Sequence, residues 1–376
     1  MRLSLTIPLS LALGGLAVAA SPAASSAQTR AAGWVAVYGA SDGLVVVSPQ
    51  VSAKAEVRDT LEVQGGYEVD VISAASVDVM TAASPRGYTE VRQAVTAATT
   101  WRPKPEARLS ARYVPSWEPD YQSHSVSASG SHEWLSGKLT TDVGLRVSSD
   151  EVGRTGASRD TWRPLHTGGI DAGIGWVFGA RTVGQLAYET QVSSGLQSSP
   201  YRFVRMYAPG SPAAASVPFG VTESVPSERV RHALGGALRH AITPRWFATT
   251  SLRFYADSWG IASHTEEVEL QHMAFGQRLL TGLSARVYGQ SAAAFYEPHY
   301  VSDGDLPRYR TADKMLVRSL TGLAGLRGSY LVRTLGALRD LRFTAKLELY
   351  TQRFFAFAPL ALRHSIIGSF GIAGEL

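Results

Sequence analysis

The chain has 376 residues, no cysteine, a formal charge of +5 and a mean hydropathy near zero. The lack of cysteine excludes disulfides, thiolate metal centres and a lipid-anchored cysteine. Basic residues fall singly, with no run that would make a nucleic-acid stripe, so no nucleic-acid partner is expected.

Residues 1–27 read as a secretory signal peptide, with Arg2 in the charged region, an apolar run, and small-residue cleavage sites after Ala19 or after Ala27. Residues 28–376 are expected to form a single domain, since no Pro/Ser-rich linker separates halves of different composition. Beyond the leader no window approaches the roughly 18 consecutive apolar residues of a membrane-spanning helix. Passage through a membrane would therefore use strands.

The remainder alternates between apolar and polar residues with a period of two. Near the C-terminus Leu341, Phe343, Ala345, Leu347 and Leu349 fall on one face of a strand, and Arg342, Thr344, Lys346, Glu348, Tyr350 and Gln352 on the other. In chain order the pattern predicts strands at 34–38, 45–57, 61–73, 90–101, 107–117, 123–135, 139–149, 169–178, 181–193, 229–242, 246–259, 261–273, 278–291, 315–331, 341–354 and 364–376. Many run about 12 to 16 residues, enough to cross a hydrocarbon core at a tilt of about 45°. The fold class is all-β: a transmembrane antiparallel up-and-down β-barrel of about 16 strands, with 14 to 18 left open. Short periplasmic turns would alternate with long extracellular loops near 81–88, 197–227 and 296–312.

Trp101, Trp117, Trp134, Trp162, Trp246, Trp259 and Tyr350 lie near predicted strand ends, as interfacial girdles require. The last strand puts Ile366, Gly368, Phe370, Ile372, Gly374 and Leu376 on one face, resembling an insertion signal read by the barrel assembly machinery, with Leu376 where Phe or Trp is usual.

Five blocks carry a family resemblance: Tyr67–Ser84, Ser198–Met206, Phe254–Leu270, Arg286–Glu297 and Arg308–Lys314. In order and spacing they are similar to the bacterial outer-membrane family known as domain of unknown function 3570. The resemblance implies the barrel and brings no established activity.

The predicted lumen-lining set is Glu62, Glu68, Asp70, Arg108, Arg112, Asp142, Arg146, Arg181, Glu189, Arg253, Asp257, Glu267, Glu269, Arg278, Arg286, Arg342, Lys346 and Glu348. Tyr201, Arg202 and Arg205 in one long loop are expected to meet Arg308, Arg310, Asp313 and Lys314 in the other. Asp70, Ser73, Ser76, Asp78, Thr81 and Ser84 offer oxygen ligands, but their spacing fits no calcium-loop pattern, and neither metal nor cofactor is expected. His124, His132, His264 and His272 lie near Ser123, Ser131 and Ser263, yet no G-x-S-x-G, HExxH or acidic pair gives them a mechanism. Ser263 and His264 are adjacent and point to opposite faces of a strand, so catalysis is not expected.

The reading that follows is an integral protein of a Gram-negative outer membrane, a pore or transport component passing a hydrophilic solute or exported polymer. The alternative is a closed scaffold barrel binding another envelope protein through its long loops; an envelope enzyme ranks third. Expected partners are outer-membrane lipid and lipopolysaccharide, with the barrel assembly machinery during insertion.

Overall fold

The structure is a computed structural model that describes residues 29–74, 88–210, 219–336 and 338–375. The strands are β1 (Thr29–Ala40), β2 (Leu44–Arg58), β3 (Leu61–Ala74), β4 (Tyr88–Lys104), β5 (Ala107–Trp117), β6 (Tyr121–Trp134), β7 (Leu139–Val152), β8 (Arg163–Gly179) and β9 (Thr182–Gly195). Two short strands follow, β10 (Phe203–Tyr207) and β11 (Phe219–Thr222). Then come β12 (Glu228–Ala241), β13 (Trp246–Asp257), β14 (Ala262–Ala274), β15 (Leu279–Gln290), the two-residue β16 (Tyr300–Val301), β17 (Ser319–Leu335), β18 (Leu338–Phe354) and β19 (Leu362–Glu375).

Sixteen of these form one closed antiparallel barrel, each paired with its chain neighbour once β10, β11 and β16 are set aside. Closure is made by β1 against β19, with Trp34 opposite Gly371 and Tyr38 opposite Ile367. A closed ladder leaves no strand edge, which is what a sheet in lipid requires, since an unpaired backbone group there costs several kcal/mol. Short turns such as 59–60, 105–106 and 180–181 define the inner end; the connections at 153–162, 196–227 and 291–318 define the outer end.

The alternation read from the sequence becomes two faces. Leu145, Val147, Ile170, Leu186 and Val192 stay about half exposed on the outside, where a soluble protein would have to bury them. Trp101, Trp117, Trp134 and Trp246 are exposed near strand ends, as a girdle needs. Three expected girdle members are placed elsewhere. Trp162 is half-buried in the outer connection, where it ends the 3-10 turn Arg159–Thr161 and Arg159 stacks on its ring. Trp259 is buried among loop residues, because its turn folds under the long loops. Tyr350 points inward, because it lies opposite the buried Ser365 and shares its face.

Each of the sixteen predicted segments corresponds to a barrel strand, with shifted ends. The first extends to Thr29–Ala40 because Ala31, Ala32 and Gly33, which carry little pattern of their own, pair on both sides. The strand expected from Met315 starts at Ser319, since Lys314–Leu316 is a single 3-10 turn. The signal-peptide segment and the loop residues Ser76, Asp78, Thr81 and Ser84 lie outside the described residues.

The apolar clusters lie at the outer mouth. One joins Trp259, Ile261, Ala293 and Leu316, a second Val204, Met206 and Tyr300, and a third Val317, Phe354 and Phe357. Hydrogen-bond ladders close the barrel wall, while a small hydrophobic core builds a cap on it.

Candidate functional site: a charged lumen under a loop cap

Directly opposed residues of an antiparallel pair share a face, so one inward contact fixes the orientation of a whole row. On β7 and β9, Arg146 donates to Glu189 at 2.7 Å, and Arg253 from β13 approaches the other Glu189 oxygen at 3.6 Å. Further along the wall Arg286 holds Glu267 through Nε and Nη2 at 2.9 and 2.7 Å. Arg327 pairs with Glu269, Gln271 donates to Glu269 at 2.9 Å and accepts from Arg239 at 3.1 Å. Lys346 pairs with Glu348 at 2.8 Å.

On the other side Arg92 reaches Asp70 at 2.9 Å, Glu68 at 3.3 Å and Glu118 at 3.7 Å. The buried Glu62 meets Lys54 at 2.6 Å and Arg102 at 3.7 Å. Glu90, Glu118 and Asp120 bring carboxylate oxygens within 4.8 Å of one another near the outer mouth, beside Arg92.

Between these regions, the lumen face of β6 is a row of hydroxyls, Ser123, Ser125, Ser127, Ser129 and Ser131, opposite Ser116, Arg112, Ser110 and Arg108 on β5. The concavity there has a volume of about 490 Å³ and includes Arg92, Arg146 and Asp171 in its wall. Arg108, Arg112, Asp142 and Asp171 make no ion pair with any described residue. The Asp142 carboxylate lies over Gly173 and that of Asp171 over Gly144, where an added Cβ would stand 2.4 to 2.5 Å from a carboxylate oxygen. Glycine at those two positions gives the acids room to lie along the wall.

Several members of the predicted set take other positions. Arg181 and Arg278 sit in inner turns, just before β9 and β15. Asp257 lies at the outer rim with a fully buried side chain, binding Arg229 and accepting from Tyr255 at 2.7 Å and from the backbone amides of Trp259 and Ile261. Arg342 is near the inner end, 3.4 Å from Ser329. Sequence reasoning omitted Lys54, Arg92, Arg102 and Arg327, although Arg92 stands between the outward Val91 and Val95 in the same period-two pattern.

The cap is built from both long outer connections. β10 pairs antiparallel with β11 and parallel with β16, so residues 203–207, 219–222 and 300–301 form one small sheet. Glu223, almost fully buried, accepts from Arg202, from Thr311 at 2.6 Å and from the Ser199 amide; Arg202 also reaches Asp313 at 3.1 Å. The two loops meet through Arg202 and Asp313. Arg310 binds the backbone of Thr222 and Pro307, whereas Arg205 points to solvent and Arg308 stacks on Tyr309.

The cap is tied to the barrel at several points. Lys314 donates to Asp42 in the β1–β2 turn at 3.0 Å, with 6% and 0% of the two side chains exposed, and Arg363 stands 3.6 Å from the same oxygen. Burial pushes the Asp42 carboxyl up, but the bond to Lys314 and the charges of Lys314 and Arg363 outweigh it and hold it below its ordinary value. Lumen-facing Gln290 donates to the carbonyls of Met315 and Val317, and Tyr296 to that of Ala356. At the far edge the Tyr201 hydroxyl accepts from the Thr155 amide at 2.6 Å. Because Gln290, Tyr255 and Phe354 all belong to the inner face, the cap leans over the lumen.

A closed sixteen-stranded barrel with an apolar outer band and a polar interior is a barrel of the outer-membrane type. Residues 164–355 match the model of the family described as protein of unknown function DUF3570, and the chain belongs to that family. Four of the five resembling blocks fall inside that span; Tyr67–Ser84 lies before it. No curated protein matches the sequence. Among solved structures, a bacterial polysaccharide outer membrane secretin is similar with a TM-score of 0.54 at 11% identity, over 93% of this chain and 98% of that one. OprD of Pseudomonas aeruginosa gives 0.44 at 6% identity over 93% and 96%. The siderophore receptor PirA of the same organism gives 0.43 at 10% over 92% and 80%. At these identities the likeness concerns the fold.

Proposed function

We propose that this protein is a pore of a Gram-negative outer membrane, passing hydrophilic solutes through a water-filled, charge-lined lumen whose outer mouth is narrowed by the loop cap. The observation that carries the reading is the accessibility of the paired wall charges: Arg146, Glu189, Arg253 and Arg286 form ion pairs across strands, yet 36 to 53% of the side-chain surface of Arg253, Arg146 and Arg286 remains open to solvent. A barrel filled by its own side chains would bury them, and sixteen strands make a ring wide enough for an aqueous channel. Both signs of charge on the wall would select among solutes by charge. The secretin's likeness leaves an exported polymer within the same reading.

The buried bond between Lys314 and Asp42 favours a second reading, a closed barrel whose fixed cap presents the loops to an envelope partner. Recordings in a planar bilayer separate the two. The refolded chain of residues 28–376 is compared with a variant in which residues 197–226 are replaced by a short Gly/Ser turn. Steady wild-type conductance, raised severalfold by the replacement, supports the capped pore. Silence in both, with the fold verified by heat-modifiable gel mobility, supports the scaffold.

A further inference from the structure

The chain has nine histidines, and eight of them lie on outward-facing rows of the barrel. His124 on β6, His166 on β8, His232 on β12, His264 on β14 and His364 on β19 are all exposed and stand within five residues of the outer end of their strands. Eight residues further along β6, β12 and β14 come His132, His240 and His272, next to the inner turns. At a rise of about 3.4 Å per residue and a tilt near 45°, eight residues span roughly 19 Å across the membrane, so the two sets stand just inside the two edges of an apolar band about 25 Å tall, within side-chain reach of the interfaces.

The outer five are held in similar ways. Nδ1 of His124 bonds the Tyr113 hydroxyl at 2.7 Å, that of His166 Ser149 at 3.3 Å, that of His232 Tyr188 at 2.8 Å and that of His364 Thr351 at 3.1 Å. A hydroxyl can donate to the neutral ring or accept from the protonated one, so each contact survives a change of charge while fixing the ring. His264 stacks on Phe254, with Nε2 3.4 Å from Glu266. The charged groups along this belt are Glu151 and Arg159 beside His124 and His166, Glu228 above His232, Glu266 beside His264, and Arg353 and Arg318, both stacked on Phe355, on the side of His364. With neutral imidazoles the three carboxylates balance the three arginines; five imidazolium charges make the belt cationic.

We infer that the outer histidines form a proton-gated belt that binds the phosphate-bearing headgroups of the surrounding leaflet, holding them when protonated and releasing them when neutral. The inference rests on the membrane placement proposed above and is independent of whether the lumen conducts. A cationic residue at a lipid surface favours anionic headgroups by about 1 kcal/mol, so several imidazolium charges should raise headgroup retention by roughly tenfold or more.

The test reconstitutes residues 28–376 in mixed phosphatidic acid and phosphatidylcholine bilayers and counts lipids retained on the released barrel by native mass spectrometry. Wild type at pH 5.5 should hold roughly ten times more phosphatidic acid than at pH 7.5. A variant carrying His124, His166, His232, His264 and His364 all changed to Gln should lose that difference, and His299→Gln in the cap should keep it. Equal retention at both pH values, or a five-site variant that behaves as wild type, overturns the belt. Displacement of the lipid by millimolar inorganic phosphate also overturns it, by assigning the site to a soluble anion. Heat-modifiable mobility is followed in parallel: a wild type that never inserts fails the membrane reading itself, whereas an inserted barrel without pH-dependent retention fails only this inference.

Discussion

The lumen has two contrasting walls. From β12 to β18 inward charges are paired, Glu267 with Arg286 and Glu269 with Arg327 across strands and Glu348 with Lys346 along β18, and the cap's apolar clusters pack on the outer end of the same wall. From β5 to β8 the inward rows carry many hydroxyls, most densely on β6, and Arg108, Arg112, Asp142 and Asp171 find no ionic partner among the described residues. One alternating pattern thus supports a braced wall that carries an ordered lid and an unbraced wall whose charges face water and a passing solute.

The largest change should come from destroying the lid. Met206 is fully buried at the centre of the cap sheet, and Met206→Asp places a charge there at a cost of several kcal/mol. The cap should then be cleaved by protease within 197–227 while the barrel keeps its heat-modifiable mobility. Loss of the barrel together with the cap would refute the independence of the two walls.

Next in size is the tie between cap and rim. Lys314→Ala leaves Asp42 buried with only Arg363 nearby, and removing one member of a buried pair costs about 3 kcal/mol or more. Hydrogen exchange should accelerate around 312–318 and 40–43, and channel noise should rise; unchanged protection at both segments would remove the tie from the account.

Smaller effects should separate the walls by selectivity. Glu189→Gln frees Arg146 and Arg253 and should shift the reversal potential toward anions, with less than about 1 kcal/mol lost in stability because the pair is half exposed. Arg112→Glu on the hydroxyl wall should shift it toward cations by more, since no partner there screens the change. If the two substitutions move the potential in the same direction, the wall charges do not govern permeation.

The barrel was legible because its signal is local: alternation over one strand fixes which side chains face lipid, and parity of the turns requires an even strand number, read as about sixteen with 14 to 18 open. The cap was not. β10, β11 and β16 are short, and they are held by partners distant in sequence, such as Glu223 with Thr311 and Lys314 with Asp42. Trp259 shows the same limit: its sequence position matches a girdle residue, and only the fold over it makes it core. Charges facing the lumen were legible as a set, but their pairing depends on register between strands. The missed Arg92 could have been found by continuing the Val91, Val95 alternation, whereas its grip on Asp70 required the β3–β4 register.

The finest test uses pH, because two points on the rim should respond in opposite directions. At Asp42 the folded-state carboxyl is held below its ordinary value, so its contribution is present above about pH 4 and is lost as pH falls through the folded value. At Glu118, in the β5–β6 turn, burial and then the neighbouring Asp120 push the carboxyl up, with Arg92 opposing. A raised value reverses the sign: that contribution is complete below about pH 4 and is lost as pH rises through the folded value. Exchange protection, corrected for the intrinsic rate, should therefore fall on acidification at 40–43 and rise at 117–121. Glu118→Gln should weaken the second response, Glu90 and Asp120 still facing one another, and leave the first intact, because the variant removes the repulsion between Glu118 and Asp120 without touching Lys314 or Arg363. Parallel responses at the two turns would mean that the rim titrates as one body, and the separation of a latched sector from an unlatched one would fail there.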